Sequence, residues 1–183
     1  MDKDLERQLR EMLDRQQIWQ VMQRYARGLD RMDIELARSC YFDDCTEDHG
    51  HFVGNPDDFI LWANGTAEEF EWTHHSITTH NCDLQGDDAY CETYYIYTGV
   101  RKEAPHFMST GRYNDHFQKR NGEWRIADRV IVVEGAYNLP EAPEHQYINA
   151  AYRPGEKPPG SRDKNDASYQ RPLIPRQRND SAT

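Results

Sequence analysis

The chain has 183 residues, of which 37% are hydrophobic, 11% aromatic and 30% charged, and its 22 basic against 32 acidic side chains leave a formal charge of −10. That is one domain's length with enough aromatic mass for a compact core. It excludes a helical membrane protein, since no run approaches the ~18–20 apolar residues of a spanning helix, and argues against a general nucleic-acid binder, which needs a basic stripe.

The N-terminus, MDKDLERQLREMLDRQQ, is charged throughout, unlike a signal peptide. Leu5, Leu9, Met12 and Leu13, then Ile18, Val21, Met22, Tyr25 and Leu29, recur at helical spacing and predict one helix over the first thirty residues. Gly28 is expected to loosen its end. Residues 33–40 predict a short second helix with Asp33 as N-cap and Leu36 and Cys40 facing inward. Residues 41–53 read as a strand, and 57–70 as a third helix interrupted at Asn64-Gly65. From residue 73 the period becomes two. Strands are expected over 73–84, 89–100, 109–120 and 123–134, with turns at Gln85-Gly86-Asp87-Asp88 and Asn121-Gly122. Helices followed by an antiparallel meander make an α+β pattern. Residues 1–138 are taken as the domain. Seven of the nine prolines fall in 139–183, a Pro-rich extension that is either a disordered end or an extended arm using Tyr147, Ile148, Tyr152, Tyr169, Leu173 and Ile174. The four cysteines, at 40, 45, 82 and 91, have no disulfide-framework spacing, and with no export signal they predict reduced thiols and a cytoplasmic protein.

Four segments in order, IWQVMQRYARGLDRMD, YFDDCTEDHG, THHSITTHNCDLQGDDAYCETYY and STGRYNDHFQKRNGEWRIADRVI, resemble the SnoaL-like branch of the nuclear transport factor 2-like superfamily over roughly residues 10–135. The resemblance implies a cone of strongly curved antiparallel sheet, closed by the N-terminal helices, with a deep pocket inside and a homodimeric or homotrimeric assembly. Within that branch the chain resembles scytalone dehydratase, bile acid 7-alpha-dehydratase and hexachlorocyclohexane dehydrochlorinase, which are cofactor-free lyases using a histidine–aspartate dyad. By that resemblance the aspartate is Asp30 in Gly28-Leu29-Asp30-Arg31. The histidine is His75, rather than His74 or His80, counting back from the Gly86-Asp87 turn. The relatives carry Asn four residues later, where this chain has Thr79. Tyr25 stands five residues before Asp30, as does a catalytic tyrosine in the bile acid enzyme. Arg129, with Arg125 competing, matches a pocket arginine loosely.

These residue types suit elimination. Neutral imidazole, with a reference pKa near ~6.5, is the best-matched base at neutral pH, and a carboxylate on its other nitrogen fixes the tautomer and stabilises the imidazolium. Tyr25 and Asp30 are about 140° apart beyond a full helical turn, so both enter one pocket only if the helix end overhangs it or Asp30 lies past the last turn. The plain alternatives are an Asp30 cap or Arg31 ion pair, a satisfied surface His75, a core Tyr25, and an Arg129 cross-strand ion pair with Asp115 or Glu92. Tyr95 and Tyr97 share one strand face opposite Tyr90 and Tyr94. With Trp62 and Phe59 they are expected to wall a site for a small hydrophobic, aromatic or polycyclic substrate. His49-Gly50-His51 could begin a metal site, but no glutamate follows at suitable spacing, so no metal and no cofactor are expected. The sequence reads best as a dehydratase-type lyase, with retro-aldol loss of a small aldehyde using the same dyad. The alternatives are a double-bond isomerase, a ligand binder, a metal-dependent oxygenase, and a structural subunit of a ring-hydroxylating dioxygenase.

Overall fold

The computed structural model describes residues 2–103, 105–140 and 160–175. The chain divides into two units, 1–141 and 142–183. In the first, helix α1 (Lys3–Asp30) is followed by α2 (Ile34–Arg38), β1 (Tyr41–Asp48), β2 (Val53–Gly54), α3 (Pro56–Ala67), β3 (Phe70–Gln85), β4 (Asp88–Arg101), β5 (His106–Arg120) and β6 (Glu123–Leu139). The strands form one curved, unclosed sheet in the order β2-β1-β6-β5-β4-β3.

α1 begins where the Asp2 carboxylate accepts from the Asp4 N–H at 3.1 Å. Its apolar stripe splits in two. Ile18, Val21, Met22 and Tyr25 are almost wholly buried, whereas Leu5, Leu9, Met12 and Leu13 are exposed. The helix meets the sheet from Asp14 onward, where that carboxylate accepts from Lys119 and from the Trp124 indole at 2.7 and 2.9 Å. The chain then reverses through Met32, at φ 51°, and Asp33 caps α2 by accepting from the Leu36 N–H at 3.3 Å. Ala37 of α2 packs so closely on Gly28 that a Cβ there would lie 2.7 Å from the Ala37 nitrogen. Gly28 therefore admits α2 rather than loosening α1, which runs on to Asp30.

Other elements differ in detail from the sequence expectations. α3 is continuous through Asn64-Gly65. Its start is fixed by the Asn55 cap, with Oδ1 2.9 Å from the Asp58 nitrogen, and by Pro56 in its first turn. An internal glycine costs only ~1 kcal/mol against alanine, too little to break a helix so started. β6 reaches Leu139, pairing along the whole of β5. β1 pairs with β6 in parallel, so the sheet is antiparallel except at that join. Register shifts between Ile77 and His80 and between Thr110 and Gly111 bend it.

In the second unit, Ala167–Tyr169 form a short 3-10 turn capped by Asp166, which accepts from the Ser168 and Ser161 N–H groups, each at 2.9 Å. Leu173 and Ile174 are exposed. Tyr147, Ile148 and Tyr152 lie outside the described residues.

Gly28 gives the packing a sharp test. Gly→Ala inside a helix normally stabilises, by up to ~1 kcal/mol. Gly28→Ala is expected to destabilise by about 1–3 kcal/mol instead, because α2 must be displaced; the urea midpoint of the variant checks it.

Candidate functional site

β3 is the free edge of the sheet, and the C-terminal end of α1 lies against it. Asp30, the last helical residue, bridges the two. One carboxylate oxygen lies 2.6 Å from His75 Nδ1, and the other accepts from the His75 backbone N–H at 2.9 Å. Both side chains are only about one-tenth exposed, at 11% for His75 and 10% for Asp30. A carboxylate can only accept, so Nδ1 carries the proton and Nε2 keeps its lone pair. Among the described residues, Nε2 makes no hydrogen bond.

The His75 ring sits among aromatic rings. Tyr97, its cross-strand partner on β4, has its centroid 4.8 Å away, and Tyr25 is at 6.4 Å. Tyr97 continues to Phe70 and Phe107, and the Arg101 guanidinium lies 5.6 Å from each of those two rings. On the side toward α1, the dyad opens on a half-open cleft of about 620 Å³ lined by Trp19, Arg27, Trp72, His74, Ile77 and Val100, among others. Tyr95, Tyr97, Trp62 and Phe59, expected to wall the pocket, are not among this cleft's lining residues.

Each of those residues has a definite place. Tyr95 is 4% exposed and packs on Tyr113 at 4.8 Å. Phe59 is buried against His49, with centroids 4.4 Å apart, and half-exposed Trp62 stacks on Phe52 at 5.6 Å. Tyr25 is wholly enclosed; its hydroxyl, close to Tyr113, makes no hydrogen bond of normal geometry. Burial pushes its phenol well above the usual range, partly offset by Arg129, so Tyr25 is a donor rather than a base.

Arg129 is fully buried and forms a fork with Asp115, its partner directly across β5 and β6, at 2.6 and 2.9 Å. Its guanidinium lies 4.1 Å from the Tyr25 centroid and 4.4 Å from that of Tyr113. Burial opposes the Arg129 charge, but Asp115 and the surrounding oxygens hold the group well above its ordinary value. The arginine is thus committed to the cross-strand pair, with its face against tyrosine rings. Arg125 instead pairs with Glu123 at 2.7 Å.

Two groups were not foreseen. Glu47 is completely buried on β1 and lies 2.6 Å from His49 Nδ1, a second histidine–carboxylate contact inside the sheet. It sits in YFDDCTED, whose buried positions, Tyr41, Cys45 and Glu47, share one parity of the strand, although exposed Asp43 interrupts the series. The second is a cluster of His80, Cys82 and Cys91, whose ligating atoms all lie within 4.8 Å of one another. It falls on the hairpin register, since Cys82 is directly opposite Cys91.

Removing one member of the buried ion pair is expected to be severe. Asp115→Ala should cost about 3–5 kcal/mol by leaving an uncompensated guanidinium. The paired apolar change Asp115→Leu with Arg129→Met should cost clearly less. Denaturant unfolding of both variants measures the difference.

The SnoaL-like domain family model matches residues 10–130. A provisionally named scytalone dehydratase from Novosphingobium aromaticivorans superposes with a TM-score of 0.65 at 19% identity, covering 74% of this chain and 97% of its own. A type-3 hexachlorocyclohexane dehydrochlorinase, LinA, from Novosphingobium barchaimii gives 0.66 at 17% identity, covering 75% and 97%. A protein of unknown function with a cystatin-like fold from Nostoc punctiforme gives 0.58 at 19%, covering 67% and 92%. No curated protein sequence matches. Likenesses at this level of identity carry the fold.

Proposed function

Since the chain belongs to the SnoaL-like domain family of the nuclear transport factor 2-like superfamily, we propose that it is a cofactor-independent lyase that eliminates water, or a similar leaving group, from a small hydrophobic ring compound. The observation that carries this reading is the double hold of Asp30 on His75, at Nδ1 and at the backbone N–H, with Nε2 left unengaged.

In the proposed reaction, Nε2 takes a proton from carbon. The electron pair left behind forms the new double bond as the leaving group departs from the adjacent carbon. The Asp30 carboxylate stabilises the imidazolium so formed, and its backbone hydrogen bond stops the ring and the acid from drifting apart. Tyr97, 4.8 Å from the imidazole, packs against the ring from the neighbouring strand and holds it in place. Trp19 and Trp72 line the other side of the dyad in the cleft. Tyr25 and Arg129 support this wall from behind: neither is exposed to a ligand entering by the cleft.

A panel of hydroxylated aromatic compounds, followed by loss of water, tests the reaction. His75→Ala is expected to lower kcat by about 10²–10⁴-fold, the worth of a positioned base, with an unchanged circular dichroism spectrum. Asp30→Asn should lower kcat as well, because the amide no longer fixes the productive tautomer. Deuterium in place of the abstracted carbon-bound hydrogen should slow wild-type turnover by a primary isotope effect. Full turnover in a folded His75→Ala protein removes the proposal.

We also propose a homo-oligomer built on the outer sheet face. Tyr94, Ile96, Val130 and Tyr137 are exposed there, at 37–50% of their full surface, an unusual concentration of apolar side chains for a monomer's surface. Ile96→Glu combined with Val130→Glu is expected to shift the sedimentation coefficient to that of a single chain.

A further inference from the structure

The β3–β4 hairpin turns at Gly86-Asp87, with Gly86 at φ 68°. That turn pairs Gln85 with Asp88, and further in along the same ladder it sets Cys82 opposite Cys91 and His80 opposite Thr93. All four point to the inner face, under α1. Trp19 of α1 lies over His80 with ring centroids 5.0 Å apart, and Arg15 donates to the Cys82 carbonyl. One nitrogen and two sulfurs therefore converge, their ligating atoms within 4.8 Å of each other.

The histidine is prepared for this. Its Nδ1 lies 2.8 Å from Thr93 Oγ1. When that nitrogen donates to the hydroxyl, the lone pair is on Nε2, which is buried and makes no hydrogen bond of ordinary geometry. A buried polar atom without a partner is expensive, and a ring held through its other nitrogen by a side-chain oxygen is how metal-bound histidines are oriented. Two thiolates and an imidazole match zinc in ligand type. Two thiolates also balance the charge of a divalent ion, so the site needs no help from the nearby Asp115, which is committed to Arg129.

We infer that His80 Nε2, Cys82 Sγ and Cys91 Sγ form a zinc site, with a fourth position open to water, that ties the β3–β4 hairpin beneath α1. The site is separate from the Asp30–His75 dyad and does not depend on the proposed elimination. Binding displaces the two thiol protons to solvent and changes no oxidation state. Cys40 and Cys45, buried elsewhere, take no part.

The test uses the full chain, reduced and treated with chelator under nitrogen. Cobalt(II), added as a spectroscopic substitute, should give thiolate charge-transfer absorption that saturates at one ion per chain, and zinc should displace it. Zinc should raise Tm and protect Cys82 and Cys91, but not Cys40 or Cys45, from alkylation read by mass spectrometry. Competition with a chromogenic chelator should show zinc affinity falling on the order of 100-fold or more in Cys82→Ser. In Thr93→Val, which keeps all three ligands, it should fall about 10–100-fold through loss of the orienting contact. Charge-transfer bands that are absent in wild type overturn the site. So does zinc affinity equal in wild type and folded Cys82→Ser, or a Cys82–Cys91 disulfide forming in air where the reduced chain binds no zinc.

Discussion

The contact between Asp30 and the edge of β3 sets the geometry of everything around it, and it is made against a local preference. The C-terminal end of a helix carries about −0.5 of an elementary charge, and acidic residues there are disfavoured by roughly 0.3–1 kcal/mol. α1 nevertheless ends on an aspartate that is 7% exposed. What offsets this is the pair of hydrogen bonds to His75, which also satisfies a backbone N–H on an edge strand that, among the described residues, has no further strand beside it. The arrangement stabilises positive charge on the imidazole by two means, the carboxylate and the negative end of the helix. A base that must become cationic during a reaction gains from both.

The interior shows why the arginine could not be assigned from its spacing alone. Arg129 and Asp115 are fixed opposite each other by the β5–β6 register, so a structural pair was always one reading of the sequence. What the linear order hides is the company: Tyr25 from α1, Tyr41 from β1 and Tyr113 from β5 close around the guanidinium. Desolvating both charges is costly, and the bidentate geometry with tyrosine rings packed around the guanidinium repays it only because every partner is in place. The same enclosure takes Tyr25 away from the solvent side of the dyad, although it lies on the same helix as Asp30.

Much of the fold was legible because turn chemistry and strand period agree. Asn121-Gly122 and Gly86-Asp87 locate two hairpins, and the helix-first order follows from the two apolar periodicities. Three features were hidden for definite reasons. The parallel join of β1 to β6 is a long-range pairing with no local signal. Gly28 reads as a helix breaker, while its role is to accept Ala37 from another element. Glu47 reads as one more surface acid in an acidic strand, and only the tertiary structure buries it beside His49. The cysteine pair is different, because it could have been found. Residues paired across the Gly86-Asp87 turn have numbers that sum to a constant; Gln85 with Asp88 gives the same sum as Cys82 with Cys91. Spacing along the chain, a separation of 9 positions from Cys82 to Cys91, conceals a neighbour relation that pairing makes plain.

A single irregularity in β3 places both histidine sites on the inner face. His75 and His80 are five residues apart, and in a regular strand an odd separation sends two side chains to opposite faces. Before the shift, Ile77 faces Tyr95; after it, His80 faces Thr93. Thr78 and Thr79 thus oppose Tyr94 alone, the two-against-one count of a bulge, and both threonines are exposed. The extra residue restores the inward direction for His80, Cys82 and Leu84 after His75 and Ile77 have already taken it. Without it, a strand that presents His75 to Asp30 would turn Cys82 toward solvent and away from Cys91. The position where this chain has Thr79 is therefore where the register of the edge strand is decided. The dyad and the thiol cluster are separate in chemistry, and they share this one geometric condition.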